Sequence, residues 1–306
     1  MGTIACVFPG QGSQAVGMGR DLGEASQRWD EANAVLGFDL RHLCFEGPET
    51  ELILTANTQP AILTASIVAL DALAAAGVSS DLVAGHSLGE YSALVAAGAM
   101  GFADAVRTVR ARGQFMQEAV PPGEGAMAAI LGLDRGLVFQ VCEEAREAGQ
   151  VQIANLNAPG QTVIAGAAAA VQRAVELAKA KGAKRAIPLP VSAPFHSALM
   201  APAAARLEAV LRTVAIRDLA VPLVTNVDAD LLRDGSRVAD ALVRQVTAPV
   251  RWEEVVTRLS KEGAETFIEV GPGKVLSGLI RRIVPEARVL NVEDRPSLEA
   301  TLEALK

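Results

Sequence analysis

The chain has 306 residues, 50% of them hydrophobic, with 35 acidic against 28 basic side chains and a formal net charge of -7. That length allows one large core and a smaller one, and the acidic balance excludes nucleic acid as a principal partner. Cys6, Cys44 and Cys142 are odd in number and lack metal-ligand spacing, the pattern of reduced thiols in a cytoplasmic protein without a metal site.

From the amino terminus, residues 4–8 predict a strand that breaks at Pro9-Gly-Gln-Gly12 before a signal-peptide core can form. Cys6 also stands where a myristoylation pattern needs Ser or Thr. Helices follow over residues 26–36 and 61–76. The apolar stretch 61–78 carries Thr64, Ser66 and Asp71, which marks a buried helix and predicts no membrane contact. Residues 82–85 read as a strand, and 88–97 and 103–119 as helices, up to the break at Pro121-Pro122-Gly123. The rhythm then changes to strand 126–131, helix 135–147, strand 151–155, a turn at Asn157-Ala-Pro-Gly160, strand 162–165, helix 168–180 and strand 185–189. That βαββαβ order is the ferredoxin-like unit. A helix at 201–214, a strand at 221–225, a helix at 238–246 and a strand at 266–270 resume the first pattern, closing on Gly271-Pro-Gly-Lys274. The expected fold is α/β: a hydrolase-like parallel-sheet core from residues 1–122 and 192–306, with a ferredoxin-like small domain inserted at 123–191.

The chemistry begins at Gly85-His86-Ser87-Leu88-Gly89, placed between the strand 82–85 and the following helix. In such a G-x-S-x-G elbow the glycines relieve crowding, the serine oxygen projects above the sheet, and the next amide faces a developing oxyanion. A serine nucleophile needs a base, and the chain offers only His42, His86 and His196. His42 lies in an ordinary amphipathic segment. His86 adjoins the serine, and in extended backbone neighbouring side chains point to opposite sides. His196, in a loop after the proline-punctuated stretch 188–194, suits general-base work. Arg112 falls on the apolar stripe of helix 103–119, while Arg107 and Arg110 point away. A buried guanidinium needs a carboxylate, supplied either by an internal Asp or Glu or by a substrate. Gly10-Gln-Gly12 follows a strand, but Ala15 stands where a dinucleotide fingerprint needs its third glycine, so no nucleotide cofactor is expected.

These residues resemble those of the malonyl-CoA:acyl carrier protein transacylases, acyltransferases of bacterial fatty acid synthesis. The likeness runs in order through Phe8-Pro-Gly-Gln-Gly-Ser-Gln14, Thr58-Gln-Pro-Ala61, Gly85-His-Ser-Leu-Gly-Glu-Tyr91, Arg112-Gly-Gln-Phe-Met116, Asn157-Ala-Pro-Gly-Gln161, Phe195-His196 and Glu269-Val-Gly-Pro-Gly-Lys274. It implies Ser87 as nucleophile and His196 as base. It places the amides of Gln11 and Leu88 in an oxyanion hole, Arg112 on the malonyl carboxylate, and Phe195, Met116, Gln59 and His86 around the substrate. The backbone carbonyl of Gln245 would orient His196 in place of a triad acid, although the residues alone leave Asp218 and Asp228 open for that role. A segment that often carries asparagine in the family reads Thr247-Ala248-Pro249 here; because the contact is main chain, little should change.

The resemblance further implies a cytoplasmic monomer that takes malonyl-CoA and acyl carrier protein as partners and needs no metal or redox cofactor. A polyketide-pathway loader and a serine thioesterase are the alternatives, the second giving no account of Arg112. In related polyketide enzymes a phenylalanine at the place of Phe195 looks like the malonyl-selective form. Residues 123–191 carry a balance of +1, so the rest of the chain holds -8. An acidic carrier is therefore expected to use basic clusters, Lys179, Lys181, Lys184 and Arg185 or Arg281 and Arg282, in a cleft between the domains.

Overall fold

The computed structural model describes residues 2–191 and 193–306. In chain order its strands are β1 (Thr3–Phe8), β2 (Leu82–Gly85), β3 (Gly125–Leu131), β4 (Val151–Ala158), β5 (Gln161–Ala167), β6 (Arg185–Pro188), β7 (Leu223–Val224), β8 (Leu231–Leu232), β9 (Ala264–Val270) and β10 (Arg288–Val292). They form two sheets. The larger has the order β10-β9-β1-β2-β7-β8 and is parallel from β10 to β7, with only β8 antiparallel. The smaller, β4-β5-β3-β6, is antiparallel and has the ferredoxin-like order. Helices Arg135–Ala145 and Ala168–Ala180 bury Val138, Val141, Val171 and Ala174 against it.

β1 and β2 are apolar and buried, as expected of central parallel strands covered by helices on both faces. Because the strands run parallel, their carboxyl ends share one rim, where open α/β sheets bind ligands. The loop after β1 brings Gln11 to that rim, the elbow after β2 brings Ser87, and the turn after β7 brings Asn226.

Several predicted bounds shift. The helix expected at 61–76 begins at Thr55, with Pro60 inside it. Its packing on helix Phe102–Glu118 is close: a Cβ on Gly113 would sit 2.7 Å from the Thr55 carbonyl oxygen. Burial outweighs the lost hydrogen bond at proline, and it is this early turn that aims Gln59 at Arg112. By length and composition Thr55–Ala75 could cross a membrane, yet 72% of its apolar window is buried within the protein. The helix expected at 201–214 ends at Leu211, and the strand expected at 221–225 keeps two residues, since Pro222 supplies only a carbonyl, to Val83. β4 runs on through Asn157 to Ala158, shortening the expected turn. His42 lies in a short helix, Leu40–Glu46. Helices Trp252–Lys261, Val275–Ile283 and Arg295–Leu305, and strand β10, carry no prediction from the sequence. The Glu269 motif finds a structural use: its buried carboxylate accepts from the amides of Leu276 and Ser277 at 3.0 and 2.7 Å, capping helix Val275–Ile283 where the helix dipole favours an anion.

Candidate active site

The elbow is built by backbone crowding. A Cβ on Gly85 would fall 1.9 Å from the Gly89 carbonyl, and one on Gly89 would fall 2.1 Å from the Phe8 carbonyl oxygen. Only glycine lets helix Gly89–Ala96 leave β2 so tightly. Between them Ser87 has φ 52° and, across the cleft, His196 has φ 57°. A non-glycine residue in the left-handed region costs about 1–3 kcal/mol and persists only where surrounding contacts fix it. Those contacts are present: Ser87 N–H donates to Asn226 Oδ1 at 2.6 Å, and Asn226 Nδ2 donates to the Gly85 carbonyl at 2.7 Å. The His196 loop is held from the small sheet, where Gln152 Nε2 donates to the carbonyls of His196 and Thr247, each at 3.2 Å.

Ser87 Oγ lies 2.7 Å from His196 Nε2, and His196 Nδ1 lies 2.8 Å from the Gln245 carbonyl oxygen. A carbonyl can only accept, so Nδ1 carries the proton and Nε2 is left to accept from the serine hydroxyl. Burial, reinforced by the Arg112 cation, pushes the His196 pKa down to about 3, keeping the ring neutral and able to take a proton. The two aspartates lie elsewhere. Asp228 is paired with Arg244 at 2.8 Å, and Asp218 accepts from the Gly235 amide at 2.9 Å.

Arg112 is buried, 1% exposed, yet among the described residues it forms no ion pair. Its Nη1 donates to Gln59 Oε1 at 2.9 Å, and its Nη2 donates to Ser87 Oγ at 3.1 Å and Gln245 Oε1 at 3.0 Å. The guanidinium stands 5.6 Å from the Tyr91 ring centre, and its Nε has no acceptor among the described residues. A cation held in this way by neutral groups beside the elbow serine leaves its charge for an incoming anion. Gln11 and Leu88 line the same cleft, and among the described residues neither amide N–H meets a backbone carbonyl. Two uncommitted amides near a serine oxygen are what an oxyanion requires.

Met116 and Phe195 form apolar wall in this cleft, and His86 closes one side, with its Nε2 2.9 Å from Asn157 Oδ1 and its ring edge-on to Trp252. Met127, Asn155, Leu189 and Val191 complete the lining from the small-sheet side and carry no signal in the sequence. Nor do Asn226, Gln152 or the side chain of Gln245, whose roles depend on partners 44 to 158 residues away. Among the described residues no cluster of three or more His, Cys, Asp or Glu could hold a metal ion. Burial pushes the Cys6 and Cys142 thiols up to about 12, so neither is a thiolate nucleophile near neutrality.

Comparison with known proteins agrees with this geometry. The family model for the acyl transferase domain matches residues 5–296. The chain is 52% identical to the malonyl CoA-acyl carrier protein transacylase of Bacillus subtilis (strain 168), covering all of this chain and 98% of that protein. The crystal structure of an acyl-carrier-protein S-malonyltransferase from Burkholderia pseudomallei 1710b superposes with TM-score 0.96 at 50% identity, over 98% of this chain and 99% of that one. A malonyl-transacylase solved in complex with its holo type II PKS acyl-carrier protein superposes with TM-score 0.96 at 47% identity, over 99% of each chain. An elbow serine paired with a buried histidine, beside an arginine that forms no ion pair among the described residues, thus sits in a chain matched from end to end, which belongs to the acyl transferase family as one of the malonyl CoA-acyl carrier protein transacylases.

Proposed function

We propose that Ser87 and His196 carry a two-step malonyl transfer from malonyl-CoA to the phosphopantetheine thiol of an acyl carrier protein. In the first step Ser87 Oγ bonds to the thioester carbonyl carbon while His196 Nε2 takes the hydroxyl proton; the carbon–sulfur bond breaks and coenzyme A leaves with that proton. In the second, the carrier thiol gives its proton to His196 and attacks the malonyl-serine ester; the carbon–oxygen bond breaks and the proton returns to Ser87. The Gln245 carbonyl orients the imidazole, the Gln11 and Leu88 amides receive the oxyanion, and Arg112, assisted by Gln59, holds the malonyl carboxylate. Met116, His86 and Phe195 shape the acyl pocket. No step needs a metal or redox cofactor.

The observation that carries this reading is the 2.7 Å Ser87–His196 pair beside a buried Arg112 whose hydrogen-bond acceptors among the described residues are all neutral. The free volume of the cleft, about 130 Å³, is roughly four times a water's share of the liquid and suits a short acyl group. A fatty-acid carrier is the partner in this reading. The likeness to the polyketide carrier complex supports a polyketide loader as the second reading. Intact-mass spectrometry tests both: malonyl-CoA should add one malonyl mass to the enzyme, and the adduct should pass to whichever holo-carrier is cognate. Loss of the adduct to water faster than to any carrier would instead indicate a thioesterase.

The proposal divides the chain into a core of residues 1–122 and 192–306 and a small domain at 123–191; Ser192 itself lies outside the described residues. Support comes from the four small-sheet strands, which pair among themselves. A cytoplasmic monomer is part of the reading; three buried free thiols support the compartment.

Two specificity predictions follow. Phe195, 9% exposed on the cleft, occupies the space an α-methyl branch needs. Methylmalonyl-CoA should be loaded poorly and improve in Phe195→Ser, within the roughly 1–3 kcal/mol one methyl can command; equal loading of the two acyl-CoAs by the unmodified enzyme would refute this. Docking of the carrier is placed between the two sheets, near the exposed Arg281 and Arg282. Arg282 donates to Gln161 Oε1 and to the Pro159 carbonyl, so it also fastens the β4–β5 turn to helix Val275–Ile283. Reversing both charges should slow transfer to the carrier, with a weakened salt dependence, and leave malonyl loading unchanged. Equal effects on both half-reactions would move the docking site elsewhere.

A further inference from the structure

Glu90 is a buried carboxyl that the transfer chemistry does not use. It lies three residues beyond the nucleophile in the first turn of helix Gly89–Ala96 and is 2% exposed. Its Oε2 accepts from Gln245 Nε2 at 2.8 Å and from the Asn226 amide at 3.1 Å. The Gln245 amide also donates to the Ser87 carbonyl at 3.0 Å, and its Oε1 accepts from Arg112 Nη2 at 3.0 Å. One glutamine side chain therefore stands between a carboxyl and the guanidinium, while the same residue's carbonyl holds His196. Helix capping does not require this arrangement, since a first-turn carboxylate can serve the helix dipole from the surface. Burying one instead, one residue removed from an unpaired cation, is costly unless the two are coupled.

We infer that Glu90 is a positioning residue for substrate capture: through Gln245 it steadies Arg112 before malonyl binds, and it takes up a proton when the malonyl carboxylate arrives. The inference rests on the reading of Arg112 as the malonyl clamp. Before binding, an ionised Glu90 offsets the Arg112 charge across the amide. Once the substrate brings its own carboxylate, two anions face one buried cation, and the cheaper state protonates the more deeply buried anion. The proton comes from solvent and is released when the malonyl group leaves.

The groups around Glu90 permit this. Arg112 faces it from helix Phe102–Glu118, and Asp228 from the turn after β7. Arg244 holds Asp228 below the usual carboxylate range, so Asp228 stays ionised, and burial pushes the neighbouring Tyr91 phenol up. His86 and His196 are both pushed down by burial. Glu90, raised by burial to about 7, is the one of these groups that changes charge near neutrality. The sign follows: above pH 7 its negative charge opposes the malonyl carboxylate, so malonyl-CoA should bind more weakly as pH rises.

Calorimetry on Ser87→Ala, which cannot turn over, separates the possibilities. Malonyl-CoA and acetyl-CoA are titrated at pH 7 in two buffers of different ionisation enthalpy, and again at pH 6 and pH 8.5. The coenzyme A phosphates are common to both ligands and cancel in the comparison. Malonyl-CoA should take up more protons than acetyl-CoA, and its affinity should fall about threefold or more between pH 6 and 8.5, the effect of half a unit of coupling. Adding Glu90→Gln should remove both differences, because glutamine keeps the hydrogen-bond acceptor without the charge. Equal proton uptake for the two ligands, or a difference that survives Glu90→Gln, overturns the role of Glu90 while a tighter malonyl-CoA complex still upholds Arg112. Equal affinity for the two ligands at every pH overturns the Arg112 reading, and this inference with it. If the double variant does not fold, the two-ligand comparison on Ser87→Ala decides alone.

Discussion

Replacing Ser87 by alanine should abolish the malonyl adduct altogether, and replacing His196 by alanine should slow its formation by roughly 10³ or more, the scale seen when members of a nucleophile–base unit are removed. The two losses arise differently. In the proposed mechanism Ser87→Ala removes the atom that would carry the acyl group, whereas His196→Ala would leave the hydroxyl without its proton acceptor. The other candidates from the sequence cannot substitute, since Asp218 and Asp228 are engaged with Gly235 and Arg244 and His86 is turned toward Asn157. Mass spectrometry on a time course after mixing with malonyl-CoA measures both. An adduct that persists in Ser87→Ala would place the nucleophile elsewhere.

Arg112→Ala should cost malonyl loading about 3–5 kcal/mol, the range for stripping one partner from a buried charge pair, or roughly 10²- to 10⁴-fold in rate. Acetyl loading should fall far less or rise, because acetyl-CoA offers no carboxylate. The structure sharpens this expectation. An internal salt bridge at Arg112 would have predicted a loss of stability shared by both substrates, but the acceptors at hydrogen-bond distance are Gln59, Ser87 and Gln245. The ratio of malonyl to acetyl loading is the deciding measurement, with thermal melts as control. Parallel losses on both substrates, or a variant that no longer folds, would return Arg112 to a structural role.

Much of this was legible in the chain. Residue chemistry and local backbone rules operate over a few positions, so the elbow around Ser87, the choice among three histidines, the misplaced charge of Arg112 and the βαββαβ insertion could all be read in one dimension. Helix 168–180 and strand 82–85 were placed to the residue, because strong periodicity and flanking glycines define them locally. The helix start at Thr55 was hidden, since Pro60 is a local stop signal that only packing against Gly113 overrides. Beyond Trp252 the sequence reading takes in only the strand at 266–270; helices Trp252–Lys261 and Val275–Ile283 are strongly amphipathic and locally legible, but it assigns no element to them.

Tertiary structure alone decided how the site is held together. The sequence left the orienter of His196 open between two aspartates and a carbonyl, and the partner of Arg112 open between protein and substrate. Both questions turn on distances between segments 25 to 133 residues apart, which only the folded sheet order brings together. Asn226, Gln152, Gln245 and Glu90 belong to the same class. Amide and carboxyl side chains bear no mark of function in a sequence; burial and the partners they meet supply it. The residues proposed to react could be picked out from their type and spacing, and those that hold them in place only from the fold.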